Sequence, residues 1–215
     1  MSSKDVTIME NINAENDRIA EGIQKRLNGR GIYAINVIGA PGAGKTSSLI
    51  RIIKGLEGVK SYVIEGDIQS DIDTEKLIGL GVEAVQIHTG GACHIDGVLI
   101  ENTLDKLALD QRGVLFIENI GNLVCPAEFN IGENIKLLLV TVSEGADKPY
   151  KYPLAFEKAE VILLNKTDLL PYVDFDMTYF VKGIRALNGT APIFEVSAKT
   201  GAGFPEVCTW IKSRL

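Results

Sequence analysis

The chain has 215 residues, 46% hydrophobic and 23% charged, which suits one ordinary hydrophobic core and leaves no low-complexity block. Its net charge of -6 disfavours nucleic acid as a partner, because binding a phosphate backbone needs a basic face. Three cysteines make no dense paired framework, no stretch reaches the roughly 18 apolar residues of a membrane span, and the opening MSSKDVTIME lacks the apolar run of a secretory signal. The expectation is a soluble cytoplasmic protein with no membrane partner, one domain over residues 1–215 with an N-terminal helical segment, residues 1–30, packed on it.

Residues 9–29 read as a charged helix with Ile12, Ile19, Ile23 and Leu27 near one face, stopped by Asn28-Gly29. The first buried strand follows as YAINVIG, and further apolar runs come at SYVIEG, EAVQIH, GVLFIEN, IKLLLVTV, EVILLNK and PIFEVSA. Most are separated by enough residues for a helix. That alternation predicts an α/β fold in three layers, with a mostly parallel sheet of about seven strands flanked by helices, and the glycine-rich GAPGAGKT between the first strand and the helix after it makes this the fold of the P-loop NTPases. The helix opening at Gly44 runs to about Leu56, and only EGVK separates it from Ser61. The spacing predicts a right-handed crossover that returns the second strand beside the first, in parallel.

GAPGAGKT, Gly39 to Thr46, matches G-x-x-x-x-G-K-[ST] between a strand and a helix. Glycines let backbone N–H groups turn around a β-phosphate, the helix N-terminus favours the anion, and Lys45 bridges phosphate oxygens. The predicted contacts are Gly39, Ala40, Gly42, Ala43, Gly44, Lys45, Thr46 and Ser47, with the Thr46 hydroxyl on Mg²⁺.

Two later motifs follow apolar strands: NKTD, Asn165 to Asp168, and SAK, Ser197 to Lys199. They look like the two guanine-recognition elements of GTPases. The Asp168 carboxylate accepts from the guanine N1–H and amine, a donor pair that adenine lacks. Asn165 braces the loop, the Lys166 stem covers the ring, and the Ala198 backbone between Ser197 and Lys199 donates to the guanine oxygen. GTP and GDP are therefore the expected nucleotides.

Mg²⁺ needs carboxylates near the γ-phosphate, and Asp67 in VIEGD and Glu118 in ENIG are the candidates, read against solvated strand-end acids. With Lys45 they make the predicted catalytic set. Glu118-Asn119-Ile120-Gly121 departs from the usual D-x-x-G and places Gly121 as the γ-phosphate sensor. Asp71 and Asp73 read as helix caps. Asn122 stands where a water-orienting glutamine would, which predicts slow intrinsic hydrolysis.

Cys93 and His94 in GGACHIDG, with Cys125 in NLVCPAE, offer two thiols and an imidazole, donors suited to Ni²⁺ or Zn²⁺. On spacing alone they read equally as buried thiols, since no C-x-x-C pair is present. Cys93 is expected at a helix N-terminus, with a thiol pKa lowered by the dipole and Gly90-Gly91 bending the pair toward one ion. Three ligands leave a tetrahedral ion incomplete, and a two-fold dimer supplies the rest. Cys208 and Trp210 read as packing residues of the last helix, and His88 as a hydrogen-bonded strand end.

GAPGAGKT, GACHIDG, ENIGNLVCPAEF, SEGADKPYKYP and NKTDLL together resemble the HypB GTPases of [NiFe]-hydrogenase maturation over nearly the whole chain. The resemblance implies a SIMIBI-class GTPase that forms a GTP-dependent homodimer and handles nickel, with Cys93, His94 and Cys125 as its metal ligands. It implies a HypA-like nickel metallochaperone as partner and the hydrogenase large subunit as client. It also places Lys148 or Lys151 near the nucleotide of the second subunit. The chain differs from many members in carrying no N-terminal C-x-x-C-G-C motif or histidine-rich tract, which implies transient transfer rather than tight storage. A urease-type nickel GTPase, whose motif is Cys-Pro-His, and a nucleotide-locked structural-zinc dimer are the alternatives.

Overall fold

The structure, a computed structural model, describes residues 3–66, 77–87 and 90–215, and side chains from residue 14 onward. In chain order its elements are α1 (Ser3–Gly29), β1 (Ile32–Gly39), α2 (Lys45–Gly55), β2 (Lys60–Glu65), β3 (Glu83–Gln86), α3 (Gly97–Leu104) and β4 (Gly113–Glu118). There follow α4 (Cys125–Glu128), β5 (Ile135–Thr141), α5 (Lys148–Lys151), α6 (Pro153–Lys158), β6 (Val161–Asn165), α7 (Met177–Leu187), β7 (Ile193–Glu195) and α8 (Phe204–Lys212). The strands form one sheet in the order β3-β2-β4-β1-β5-β6-β7, and every pairing is parallel. β4, β5 and β6 are buried at every position, as strands covered on both faces must be.

All seven expected strands form, but β2 does not return beside β1. β4 lies between them, with Phe116 opposite Ile35 on one side and Val63 on the other. The crossover helix explains the gap. An α-helix with its side chains is about 10 Å across, two strand spacings of roughly 4.8 Å, so α2 rests on both β1 and β4 and delivers the chain to the next-but-one position.

On one face, α2 and α8 bury Leu49, Ile52, Val207 and Ile211 against Ile35, Val37, Phe116, Leu137 and Leu163. Cys208 joins this core, its thiol 3.5 Å from the Ile52 carbonyl, while Trp210 meets Phe194 edge-on at 6.4 Å. The opposite face carries two separate apolar patches. Ile23 and Leu27 of α1 and Ile100 and Leu104 of α3 cover Ala34, Ile64, Leu115 and Ile117. Phe156, Phe180 and Ile184 of α6 and α7 cover Ile38, Leu138, Val140 and Ile162. α1 begins before the residue 9 expected from periodicity, and the side chain of Ile12 lies outside the described residues.

Asn36 of β1 sits at the seam between those patches, fully buried, flanked along the strand by Ala34 of one and Ile38 of the other. Its amide donates to Glu133 Oε1 at 3.2 Å, and Glu133 also accepts from the Lys136 ammonium and the Ile131 N–H. This polar seam ends beneath the candidate site. No helix among the described residues is long and apolar enough to cross a membrane.

Candidate nucleotide and metal site

The loops after β1, β4, β6 and β7 gather at the carboxyl edge of the sheet, where ligands of open α/β folds bind. The first is the Gly39–Thr46 loop. Gly42 and Gly44 take φ of 72° and 90°, the left-handed region that favours glycine. A Cβ on Gly44 would stand 2.8 Å from Asn165 Nδ2. Ala43 N–H bonds the Ala40 carbonyl, and Ser48 N–H closes the first helical bond of α2, to Gly44 O at 2.9 Å. The N–H groups of Lys45, Thr46 and Ser47 thus lie at the open end of the helix, where its dipole is positive. Lys45 Nζ reaches back to the carbonyls of Gly39 and Ala40 at 3.3 and 3.4 Å. A cleft of 180 Å³ opens here, lined by Pro41, Gly42, Lys45, Glu118, Ile120 and Gly121 among others.

Glu118, at the end of β4, is 4% exposed and accepts from the Thr46 hydroxyl at 3.0 Å. Two predicted Mg²⁺ ligands are therefore adjacent, and both are the hard oxygen donors that Mg²⁺ takes. Asp67, the third, lies outside the described residues, as do Asp71, Asp73 and His88. Glu65, fully buried, pairs in register with Glu118 and brings a second carboxylate to this edge. Sequence reasoning passed over it, although an acid inside the apolar run SYVIEG was the available signal.

The NKTD and SAK loops meet each other and the phosphate loop. Asn165 Nδ2 donates to Ala43 O at 2.9 Å, while its Oδ1 accepts from Ala198 N–H at 3.0 Å. That Ala198 N–H, expected to face the guanine oxygen, is thus engaged by Asn165. Lys166, at φ 60°, sends Nζ to Gly42 O at 2.8 Å, across the phosphate loop. Ser197 Oγ donates to Asp168 Oδ1 at 2.6 Å, fixing that carboxylate. Arg51 of α2 was not foreseen from sequence; it donates to the carbonyls of Ala198 and Lys199, both at 2.9 Å, so α2 braces the second loop directly.

The ligand atoms of Cys93, His94 and Cys125 all lie within 4.8 Å of one another. Cys93 Sγ is 3.0 Å from Cys125 Sγ and 3.5 Å from His94 Nδ1. Metal–sulfur bonds of about 2.3 Å and metal–nitrogen bonds of about 2.0 Å bring such donors around one ion with small adjustments, so the set fits Zn²⁺ or Ni²⁺. Burial of His94, whose ring stacks on Phe129 at 4.1 Å, holds its pKa below the ordinary imidazole value and favours the neutral, ligating form. The Cys93 thiol is displaced upward by its hydrogen bond to Cys125, opposite to the lowering expected from a helix dipole. The reason is positional. α3 starts only at Gly97, capped by Asp96, so Cys93 lies outside the helix in a loop entered through Gly90 and Gly91, both at positive φ.

Lys148 pairs with Glu144 at 3.7 Å and lies 5.1 Å from the Tyr152 ring centroid, while Lys151 pairs with Asp147 at 2.5 Å. Within the chain each is held by a neighbouring acid.

Residues 33–195 match the family model described as CobW/HypB/UreG, nucleotide-binding domain. The hydrogenase maturation factor HypB of Azotobacter vinelandii is 43% identical over 98% of this chain and 70% of its own length. The crystal structure of HypB from Helicobacter pylori in complex with nickel superposes with a TM-score of 0.88 at 34% identity, covering 93% of this chain and 94% of that one. That of HypB from Archaeoglobus fulgidus gives a TM-score of 0.87 at 37% identity, over 93% and 98% of the two chains.

Proposed function

Since the chain belongs to the CobW/HypB/UreG family of nucleotide-binding domains, and within it to the HypB hydrogenase maturation factors, we propose that it is a GTPase whose nucleotide state governs a nickel-handling site. The observation that supports this most directly is the span of a single loop. At its start Glu118 meets Thr46 of the phosphate loop, and at its end Cys125 meets Cys93. Whatever moves the loop at one end is felt at the other.

In this reading the β-phosphate is held by the N–H groups of Gly42 and of Gly44 to Ser47, and Lys45 exchanges two backbone carbonyls for phosphate oxygens. Thr46 and Glu118, with Asp67, would hold Mg²⁺, whose charge would offset that of the nucleotide phosphates. Gly121 offers its N–H to the γ-phosphate and draws the loop toward the cleft. The Asp168 carboxylate, oriented by Ser197, reads the guanine edge. Hydrolysis of GTP by water to GDP and phosphate removes the anchor of Gly121 and lets the loop relax. The Asn122 carboxamide is committed elsewhere, which supports a slow intrinsic rate.

Nickel is the cargo, carried by Cys93, His94 and Cys125, with zinc an alternative occupant of the same donors. Three donors leave room for a second copy of the chain to complete the site when GTP brings two together. A HypA-like metallochaperone and the hydrogenase large subunit are the corresponding partners.

The test is titration of Ni²⁺ and Zn²⁺ into wild type, Cys93→Ala, Cys125→Ala and Lys45→Ala, with GDP or a non-hydrolysable GTP analogue, reading oligomeric mass in parallel. Wild type is expected to show nickel affinities that differ between nucleotide states, typically by about 5- to 150-fold for coupled sites. Both cysteine variants should lose metal binding at this site, and Lys45→Ala should lose nucleotide. Equal nickel affinity in both states would reject the switch.

A further inference from the structure

Asn122 stands in the place of a water-orienting glutamine, yet its carboxamide is held by the metal loop. Nδ2 donates to the Cys93 carbonyl at 3.2 Å, and Oδ1 accepts from Val124 N–H at 2.9 Å. Its backbone also forms an isolated antiparallel bridge with Gly39, where the phosphate loop begins. One half-exposed side chain therefore touches the residue before His94 and the residue before Cys125, and its main chain touches the nucleotide loop.

A second tie lies deeper. Asn119 Oδ1 accepts from Ile95 N–H at 3.1 Å and from Ile120 N–H at 2.9 Å, so the backbone on the far side of His94 is held by the same 118–125 loop. Asn119 is 1% exposed, and its Nδ2 donates to Asn36 in the buried seam at 3.2 Å. The deeper tie is anchored to the sheet; the outer one rides on the residue next to Gly121.

We infer that Asn122 is the positioning residue that transmits the nucleotide state to the metal ligands. This rests on the switch reading above. Consecutive Cα atoms are about 3.8 Å apart, so Gly121 cannot move toward a γ-phosphate without carrying Asn122. Asn122 then pulls the Cys93 carbonyl through Nδ2 and the Val124–Cys125 turn through Oδ1. Asn119 keeps Ile95 in place meanwhile, so the movement is concentrated on the two thiols, and their separation sets the metal affinity.

The test compares Ni²⁺ dissociation constants with GDP and with a non-hydrolysable GTP analogue in wild type, Asn122→Ala and Asn122→Ser, using the full chain. In wild type the ratio of the two constants should fall in the range of about 5 to 150. In Asn122→Ala it should collapse to within about twofold of unity, with GDP affinity unchanged and the thiolate-to-nickel charge-transfer band retained. Asn122→Ser, which keeps a small acceptor for Val124 N–H but cannot reach Cys93, should uncouple as well and serves if the alanine variant fails to fold. A normal wild-type ratio preserved in both variants would overturn the inference while leaving the switch intact. A wild-type ratio of one would reject the switch and the inference with it. Loss of the charge-transfer band in both nucleotide states would also overturn it, by showing that Asn122 assembles the ligands rather than coupling them.

Discussion

Replacing Glu133 with alanine strikes the polar seam, and the structure sets the size of the effect. The carboxylate is 6% exposed and accepts from Lys136 Nζ, from Asn36 Nδ2 and from Ile131 N–H. Lys136 is 9% exposed and, among the described residues, would keep only the Phe129 carbonyl, at 2.9 Å. Removing one member of a buried ion pair costs about 3–5 kcal/mol, because the remaining charge is left without compensation. A cavity of 250 Å³ lined by Glu133, Asn134, Lys136 and Glu160 gives water a path to the ammonium, so the lower end applies, about 3 kcal/mol. For a chain of this length that is a fall in melting temperature of roughly 6–12 °C. Urea unfolding of the metal-free, nucleotide-free protein measures it. The double variant Glu133→Leu/Lys136→Met should lose less than Glu133→Ala alone, since no charge is stranded. A loss below about 1 kcal/mol at unchanged denaturant slope would refute the reasoning, showing the pair to be solvated rather than buried.

Asp168→Asn should weaken GTP binding by about 10- to 150-fold, the value of one charge-assisted hydrogen bond, and shift preference toward xanthosine triphosphate, read by calorimetry; retained guanine preference would move base recognition elsewhere. Gly121→Ala would bring a Cβ to 2.9 Å from Pro41 Cγ and 3.0 Å from the Pro41 backbone. The added methyl should hold the two loops apart, so GDP affinity should survive while single-turnover GTP hydrolysis slows, and an unchanged rate would remove Gly121 from the mechanism.

The strands and the motif loops could be read from sequence because both are local: apolar runs bounded by turns, and glycines at fixed offsets. Strand adjacency is not local. Nothing in the 21-residue stretch from Gly39 to Val59, about the length of one short helix and its turns, tells whether α2 crosses one strand spacing or two. The three metal-ligating candidates were identifiable as residue types, yet their meeting depends on α3 starting at Gly97 and on two asparagine side chains. Asn36 and Glu65 were visible as polar residues inside apolar runs, a pattern that marks a buried partner without naming it. Glu133 and Lys136 become partners only through the seam that two helix groups leave between them.

The position of β4 has a consequence for how the protein is made. A ribosome delivers β1 and β2 well before β4, the strand that must pair with both of them. During that interval the facing edges of β1 and β2 stand open, and the nascent chain cannot join β2 and β3 to β1 until residue 118 has cleared the exit tunnel. β4 is therefore the strand that closes the gap between β1 and β2, and the phosphate loop acquires Glu118 as its neighbour while β5, β6 and β7, with the Asn165 and Ser197 loops, are still to be made.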